Sequence, residues 1–364
     1  MANATISAGE ERKLTELSDG ITALLGAIAA DTYSQSGQTG RGISDALQFG
    51  GRFPAFLHMF VEHRLYSTIK EGPYEEFRNA MHGADRELLP EVARQIKERG
   101  IRTIYSLGPT PSLDAELLKM LAEQNVHVKY VAVDISPSVL IKAEDKLSRN
   151  LGEQSGSVTL DRILGSFESV NSDDKSCVTV TGGTVSNNPD SLWSVAAKIA
   201  KPGGLVVADS GVTPEHTSES SAYWKQYWLS MYNTPAQRKM LMKGLEQSMP
   251  DFFTPENRQK WQLRIGYVPH TGSENWKERC TTPRIQVEMH VNTEMDVAWA
   301  GLHYHLMPSQ VIVPIVSVKP DSLSFVVKSS GYGLRPIAAK ETTVDYSIGG
   351  GPKAGAFAAM FEVK

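Results

Sequence analysis

The chain has 364 residues, 41% of them hydrophobic and 21% charged, with a net charge of −4 and a pI near 6.2. That balance argues against a nucleic-acid backbone as the main partner, and the lack of a run of about 18 apolar residues argues against a transmembrane helix. Its length leaves room for a large core and more than one structural unit. The opening MANATISAGEERKL lacks the basic start and apolar core of a signal peptide, so none is expected. Cys177 and Cys280 are too few for a disulfide framework, and a reducing cytoplasm is the expected compartment.

Residues 9 to 31 and 53 to 100 read as helix-rich. Leu14, Leu17, Ile21, Leu24 and Leu25 make one stripe at three- and four-residue spacing, and Leu88, Leu89, Val92 and Ile96 make another. Between them Gly37, Gly40, Gly42, Gly50 and Gly51 mark a mobile or ligand-covering loop rather than a core element. Tyr66 and Tyr74 flank a helix end at Gly72-Pro73.

The most informative stretch runs from 103 to 138. Thr103 to Leu107 is a short apolar run ended by Gly108-Pro109; Leu113, Leu117, Leu118 and Leu121 recur at helical spacing; Val128 to Val133 is a second apolar run stopping at Asp134. Strand, crossover helix and strand form a βαβ unit with parallel strands. Ligands of open α/β sheets lie beyond the carboxyl ends of the strands, so Gly108 and Asp134 are expected side by side at one site. A carboxylate in that place suits the two hydroxyls of an adenosine ribose.

Pro137 to Leu147 continues as a helix, LGSF at 164–167 ends a further strand, and Val178 to Thr181 is another, followed by a Gly182-Gly183 turn. A helix over Leu192 to Ile199, the turn Lys201-Pro202-Gly203-Gly204, the strand Leu205 to Ala208 and then Asp209 complete this part. Beyond about residue 212 aromatics crowd together (Tyr223, Trp224, Tyr227, Trp228, Tyr232) and a second helical stretch reaches Met249. Ile285, Val287, Met289 and Val291 alternate with Arg284, Gln286, Glu288 and His290, the period-two pattern of a half-buried strand. His303 and His305 are two apart without a clear third ligand, so no metal is expected. The tail returns to β-rich sequence at 323–340 and 356–364.

The order apolar strand, helix, KPGG, apolar strand, acid resembles the second half of a class I S-adenosylmethionine (SAM) methyltransferase domain, and two closing strands suit the antiparallel edge of its sheet. GGTVSNN at 182–188, RIQVEM at 284–289 and RLYSTIKEGPYEEF at 64–77 are similar, remotely, to segments of the histidine-specific Nα-methyltransferase family of the ergothioneine pathway. The resemblance implies an α/β fold: a Rossmann-like class I methyltransferase sheet over 91–211 and 311–364 that binds SAM, with a second, discontinuous helical and β substrate-binding or lid domain over 1–90 and 212–310. It further implies that Gly108, Pro109, Asp134, Ser136, Ser166, Phe167, Gly183 and Thr184 line the cofactor, with Ser166 standing where the family has an acid. Asn187, Glu288 and Tyr74 would serve the acceptor's amino-acid group.

Each residue also has a plainer reading. Asn187 either orients an amine or initiates a turn before Pro189. Glu288 either pairs with an ammonium or ring N–H or sits exposed on its strand. Tyr223 and Tyr227 either cage a cation or pack the insert's own core, and Asp209 either reaches the acceptor or caps the next segment. The expected function is SAM-dependent N-methyl transfer to an amino acid or amino-acid-derived small molecule in secondary metabolism. The alternatives are an enzyme that cyclises SAM to azetidine-2-carboxylate or transfers its aminocarboxypropyl arm, and a non-catalytic SAM- or nucleotide-binding regulatory protein.

Overall fold

A computed structural model describes residues 73–134, 137–165, 167–187, 189–214, 220–268, 283–299, 302–320 and 322–364. The first helical stripe, the glycine-rich loop and Tyr66 lie outside the described residues, as do Ser136 and Ser166. In chain order the elements are α1 (Pro73–Arg99), β1 (Thr103–Leu107), α2 (Pro111–Glu123), β2 (Val128–Asp134), α3 (Pro137–Leu151), β3 (Val158–Leu164), β4 (Cys177–Val180), α4 (Pro189–Ala200) and β5 (Leu205–Val212). They continue with α5 (Ser221–Tyr232), α6 (Pro235–Ser248), α7 (Pro255–Arg258), β6 (Trp261–Val268), β7 (Arg284–Val291), β8 (Met295–Trp299), β9 (Leu302–Leu306), β10 (Val311–Val318), α8 (Ser322–Ser330), β11 (Leu334–Thr343) and β12 (Gly355–Val363).

Seven strands form one sheet in the order β11-β12-β5-β4-β1-β2-β3. The pairs β1–β2, β1–β4, β2–β3 and β4–β5 are parallel, whereas β12 runs antiparallel to both β5 and β11. This is the strand order expected of a Rossmann-like class I methyltransferase sheet, closing antiparallel edge included. Helices cover both faces, which explains why the central strands read as nearly continuous apolar runs. On one face Leu88 and Val92 of α1, Leu117 and Leu121 of α2 and Leu147 of α3 pack with Ile104 and Tyr130. On the other, Trp193 and Ile199 of α4 and Phe325 of α8 pack with Val178, Val206 and Phe361. β6, β7 and β10 make a separate three-stranded sheet, and β8 and β9 a hairpin.

Two compact units result, but their boundaries differ from the sequence-based ones. One comprises the described residues within 64–237, 267–285 and 316–364; the other those within 238–266 and 286–315. Residues 73–90 and 212–237 therefore belong with the seven-stranded sheet, and 311–315 with the smaller unit. The cause is packing that periodicity alone does not reveal. The α1 stripe lies in the same core as β1, β2 and Met360, and Thr342 Oγ1 donates to Ala80 O at 2.7 Å. In α5, Tyr227 donates to Tyr346 O at 3.1 Å and accepts from Ala354 N at 3.2 Å.

The KPGG turn shows how tightly the sheet edge is built. Gly203 sits at φ +78°, its N–H donating to Val363 O at 2.9 Å. A Cβ on Gly204 would lie 2.0 Å from Ala200 O and 2.6 Å from Ser176 O, both backbone atoms that cannot turn away. Gly204→Ala is therefore expected to destabilise the protein by about 3 kcal/mol or more, at the severe end of single substitutions, as read from the urea midpoint; an unchanged midpoint would show that this turn gives way.

Candidate active site

The parallel strands deliver their carboxyl ends together. Leu107 pairs with Val133, and the N–H of Gly108 donates to Val133 O at 2.9 Å, so Gly108 adjoins the end of β2. Asp134 pairs with Leu164, and Gly165 N donates to Asp134 O at 3.0 Å, which brings the end of β3 alongside. Gly108 has φ +70°, a left-handed conformation that favours glycine. A Cβ added there would stand 3.1 Å from Thr184 Oγ1 and 3.9 Å from Phe167 Cζ. Gly108, Asp134, Phe167 and Thr184 thus converge on one edge, with Pro109 following Gly108. Asp134 is 2% exposed, a carboxylate set into the floor.

A carboxylate that the sequence reading missed fixes the β1–α2 turn. Asp114 is fully buried; its Oδ2 accepts from Tyr130 OH at 2.7 Å, Thr110 N at 3.0 Å and Ser106 Oγ at 3.2 Å. Burial pushes its carboxyl up to about 6, against the lowering by those three donors. The signal was there: an acid beside Leu113 and Leu117 in an apolar stripe, just past a proline-initiated helix start.

The turn after β4 depends on a second buried acid. Asp209 on β5 is 0% exposed, and its two oxygens accept from Gly182 N at 2.8 Å and Gly183 N at 2.7 Å. Both glycines have positive φ, +74° and +77°. Of the two readings of Asp209, these bonds describe the internal one: it holds the turn that carries Thr184. Thr184 Oγ1 donates to Thr181 O at 3.0 Å, and the Ser186 and Ser210 hydroxyls are 2.8 Å apart. Met81 of α1 covers this turn, its Cε 3.3 Å from where a Gly183 Cβ would be. Asn187 ends the short 3-10 turn Thr184–Asn187; its side chain lies outside what is described.

Asp85 of α1, also missed, meets Asp209 from the other side. Its oxygens receive no N–H or O–H from the described residues, and the Asp209 carboxyl is the neighbouring charge that acts on it most strongly. Two acceptors pair only if one carries a proton. Asp209 already accepts two backbone amides that stabilise its anion, so Asp85 holds the proton. Burial, then the Asp209 charge, raises its carboxyl well above the usual range. Asp85 lies three and four residues before Leu88 and Leu89, an acid in an apolar stripe.

The remaining expected site residues divide. Tyr74 stacks edge-on against Tyr232 at 5.4 Å and lies 6.3 Å from Phe77. Tyr223 and Tyr227 are structural: Tyr223 OH donates to Pro352 O at 2.6 Å, and Tyr227, 0% exposed, ties down the 346–354 loop. For these two tyrosines the packing role is the one their hydroxyls describe, each bonded to backbone. In the smaller unit, Glu288 bonds His290 Nε2 at 2.6 Å and Gln286 Nε2, along one face of β7. Arg284 and Gln286 are buried, so the first half of β7 is covered on both faces rather than half-buried. His303 and His305 sit on β9, where His305 pairs with Asp296 at 2.8 Å.

No family model matches the chain, and no curated protein matches it. Among solved structures it is similar to a putative methyltransferase from Thermobifida fusca YX (12% identity, 88% of this chain and 94% of that one, TM-score 0.38). A SAM-dependent methyltransferase from Clostridium acetobutylicum ATCC 824 is similar at 10% identity (86% and 99% covered, TM-score 0.36). So is the Burkholderia thailandensis 1,6-didemethyltoxoflavin-N1-methyltransferase with bound 1,6-didemethyltoxoflavin and S-adenosylhomocysteine (8% identity, 82% and 89% covered, TM-score 0.31). At such scores these likenesses add nothing to the strand order itself.

The Asp85–Asp209 pair has a pH signature. A folded-state carboxyl raised above its unfolded value of 3.8 gives stability that is complete at acid pH and lost as pH climbs through the raised value. Asp85→Asn supplies a permanent N–H donor to Asp209, so between pH 5 and 9 the wild type is expected to lose about 1–3 kcal/mol relative to that variant. Urea midpoints at both pH values measure this; parallel profiles would contradict the shared proton.

Proposed function

We propose that the chain is a SAM-dependent N-methyltransferase acting on an amino acid or an amino-acid-derived small molecule. The observation that supports it best is the convergence of Gly108, Asp134, Phe167 and Thr184 at the carboxyl ends of β1, β2, β3 and β4. The left-handed glycine leaves open a cradle that a Cβ would fill, 3.1 Å from the Thr184 hydroxyl. An acid set at the end of β2 is the right group for a ribose diol.

In this reading Asp134 accepts from the ribose hydroxyls, Phe167 and Ser166 flank the adenine, and Gly108, Pro109 and Ser136 pass along the cofactor's middle. SAM, when bound, supplies an electrophilic methyl group. The chain's own work is to hold an unprotonated amine in line with that methyl and to exclude water. Gly183 and Thr184, pinned through Asp209, form the wall facing the acceptor, and Asn187 orients the amine. Tyr74, on the first turn of α1, contributes to the acceptor side. None of these residues acts as a covalent nucleophile.

Incubating the purified protein with SAM alone, and then with a pool of amino acids, tests the proposal through its adenosine products. S-adenosylhomocysteine formed only with the pool is the expected outcome. Methylthioadenosine formed without an acceptor would overturn N-methylation in favour of cyclisation or aminocarboxypropyl transfer.

A further inference from the structure

Lys319, immediately after β10, is a buried amine with no carboxylate partner among the described residues. It is 1% exposed, and its Nζ lies 5.4 Å from the ring centre of Phe77, 5.1 Å from that of Trp228 and 5.1 Å from that of Tyr232. Its oxygen partner is the Ser317 hydroxyl at 2.8 Å. Among the described residues no carboxylate pairs with it, and burial lowers its amine to about 7. The elements packed around it offer rings and hydroxyls: Phe77 from α1, Trp228 and Tyr232 from α5, Ser317 from β10, with Tyr74 behind Tyr232. A buried amine without an ion-pair partner costs stability, and such costs concentrate at functional sites.

Its place in the fold is equally specific. Thr213 N, just past β5, donates to Pro320 O at 2.8 Å, and Trp228 Nε1 donates to Thr213 Oγ1 at 3.0 Å. Lys319 is thereby tied to the carboxyl end of β5, the ligand-binding edge of the sheet. Phe77, one wall of the box, packs over Gly211, where an added Cβ would fall 2.2 Å from its ring; one helical turn further along α1, Met81 covers Gly183. The box therefore continues the same edge that carries the Gly183–Thr184 wall. Tyr232 and Tyr74 are only partly buried and form its outer side.

We propose that Lys319 and the rings of Phe77, Trp228 and Tyr232 form the receptor for the carboxylate of an apolar or aromatic acid, and so anchor the acceptor by its acid end. The inference rests on the methyltransferase reading only for the word acceptor; the anion site stands on its own geometry. The rings stabilise the ammonium by cation–π attraction and receive the apolar body of the ligand, while the incoming carboxylate provides the missing counter-ion. Because the ammonium is required, affinity falls by about tenfold per pH unit above 7.

Calorimetric titration of benzoate and of its uncharged analogue benzamide into the full-length protein, with and without S-adenosylhomocysteine, tests this. The expected result is benzoate binding at pH 7 with proton uptake, about fiftyfold weaker at pH 9, and benzamide at least about tenfold weaker at pH 7. Lys319→Met, which exchanges an unpaired amine for an apolar chain and is expected to fold, should lose benzoate binding at least about tenfold and lose its pH dependence. Equal binding of benzoate and benzamide, unchanged benzoate affinity in Lys319→Met, or no benzoate binding by a protein that still binds S-adenosylhomocysteine would each overturn the proposal. The wild-type pH profile decides the matter even if the variant does not fold. Pronounced benzoate binding with no S-adenosylhomocysteine binding would uphold the anion site and break the cofactor reading instead.

Discussion

Two hydrogen bonds from consecutive backbone amides into one buried carboxylate hold the candidate site in shape. Gly182 and Gly183 turn away from β4 with positive φ, a conformation that leaves their N–H groups pointing the same way. Without that acceptor the two N–H groups, at a turn where Gly182 is exposed and Gly183 half-buried, would turn to water and nothing on the protein would fix the shape of the turn. Asp209 accepts both, at 2.8 and 2.7 Å. Thr184 then comes within reach of Gly108, and β4 and β1 jointly shape the edge. The cost is a second buried charge problem, which Asp85 relieves by keeping a proton.

The same logic recurs along the sheet. At the end of β1, Asp114 gathers Ser106, Thr110 and Tyr130 and so fixes the path through Gly108. Past β5, Trp228 and Thr213 tie down the backbone next to Lys319. The strands are exchangeable apolar runs, whereas polar groups placed just outside their ends determine the turn shapes. That division accounts for a regular, legible sheet with a site built from irregular backbone.

How much was readable in the sequence follows from this division. The strands β1, β2 and β5 and the KPGG turn were legible because buried parallel strands must be apolar and must stop where the chain turns. Gly108 beside Asp134 followed from the βαβ rule alone. The partner of α1 was not legible, since an amphipathic stripe says that a face is buried but not against what; hence 73–90 were grouped with the wrong unit. Asp209 stays open in the sequence for a related reason: an acid at a strand end looks the same whether it faces a ligand or two backbone amides. Asp85 and Asp114 left a detectable trace, acids within apolar stripes. Lys319 left none, because its box is assembled from α1, α5 and β10, which lie far apart in sequence.

The central claim is that the carboxyl edge of β1 and β2 holds SAM through Asp134. Titrating S-adenosylhomocysteine into the wild type and into Asp134→Ala tests it most directly. The account predicts one binding site per chain in the wild type and an affinity at least about tenfold weaker in the variant, the loss of a charge-assisted contact to the ribose. Equal affinities would contradict the assignment of this edge, and no binding to a folded wild type would contradict the cofactor itself.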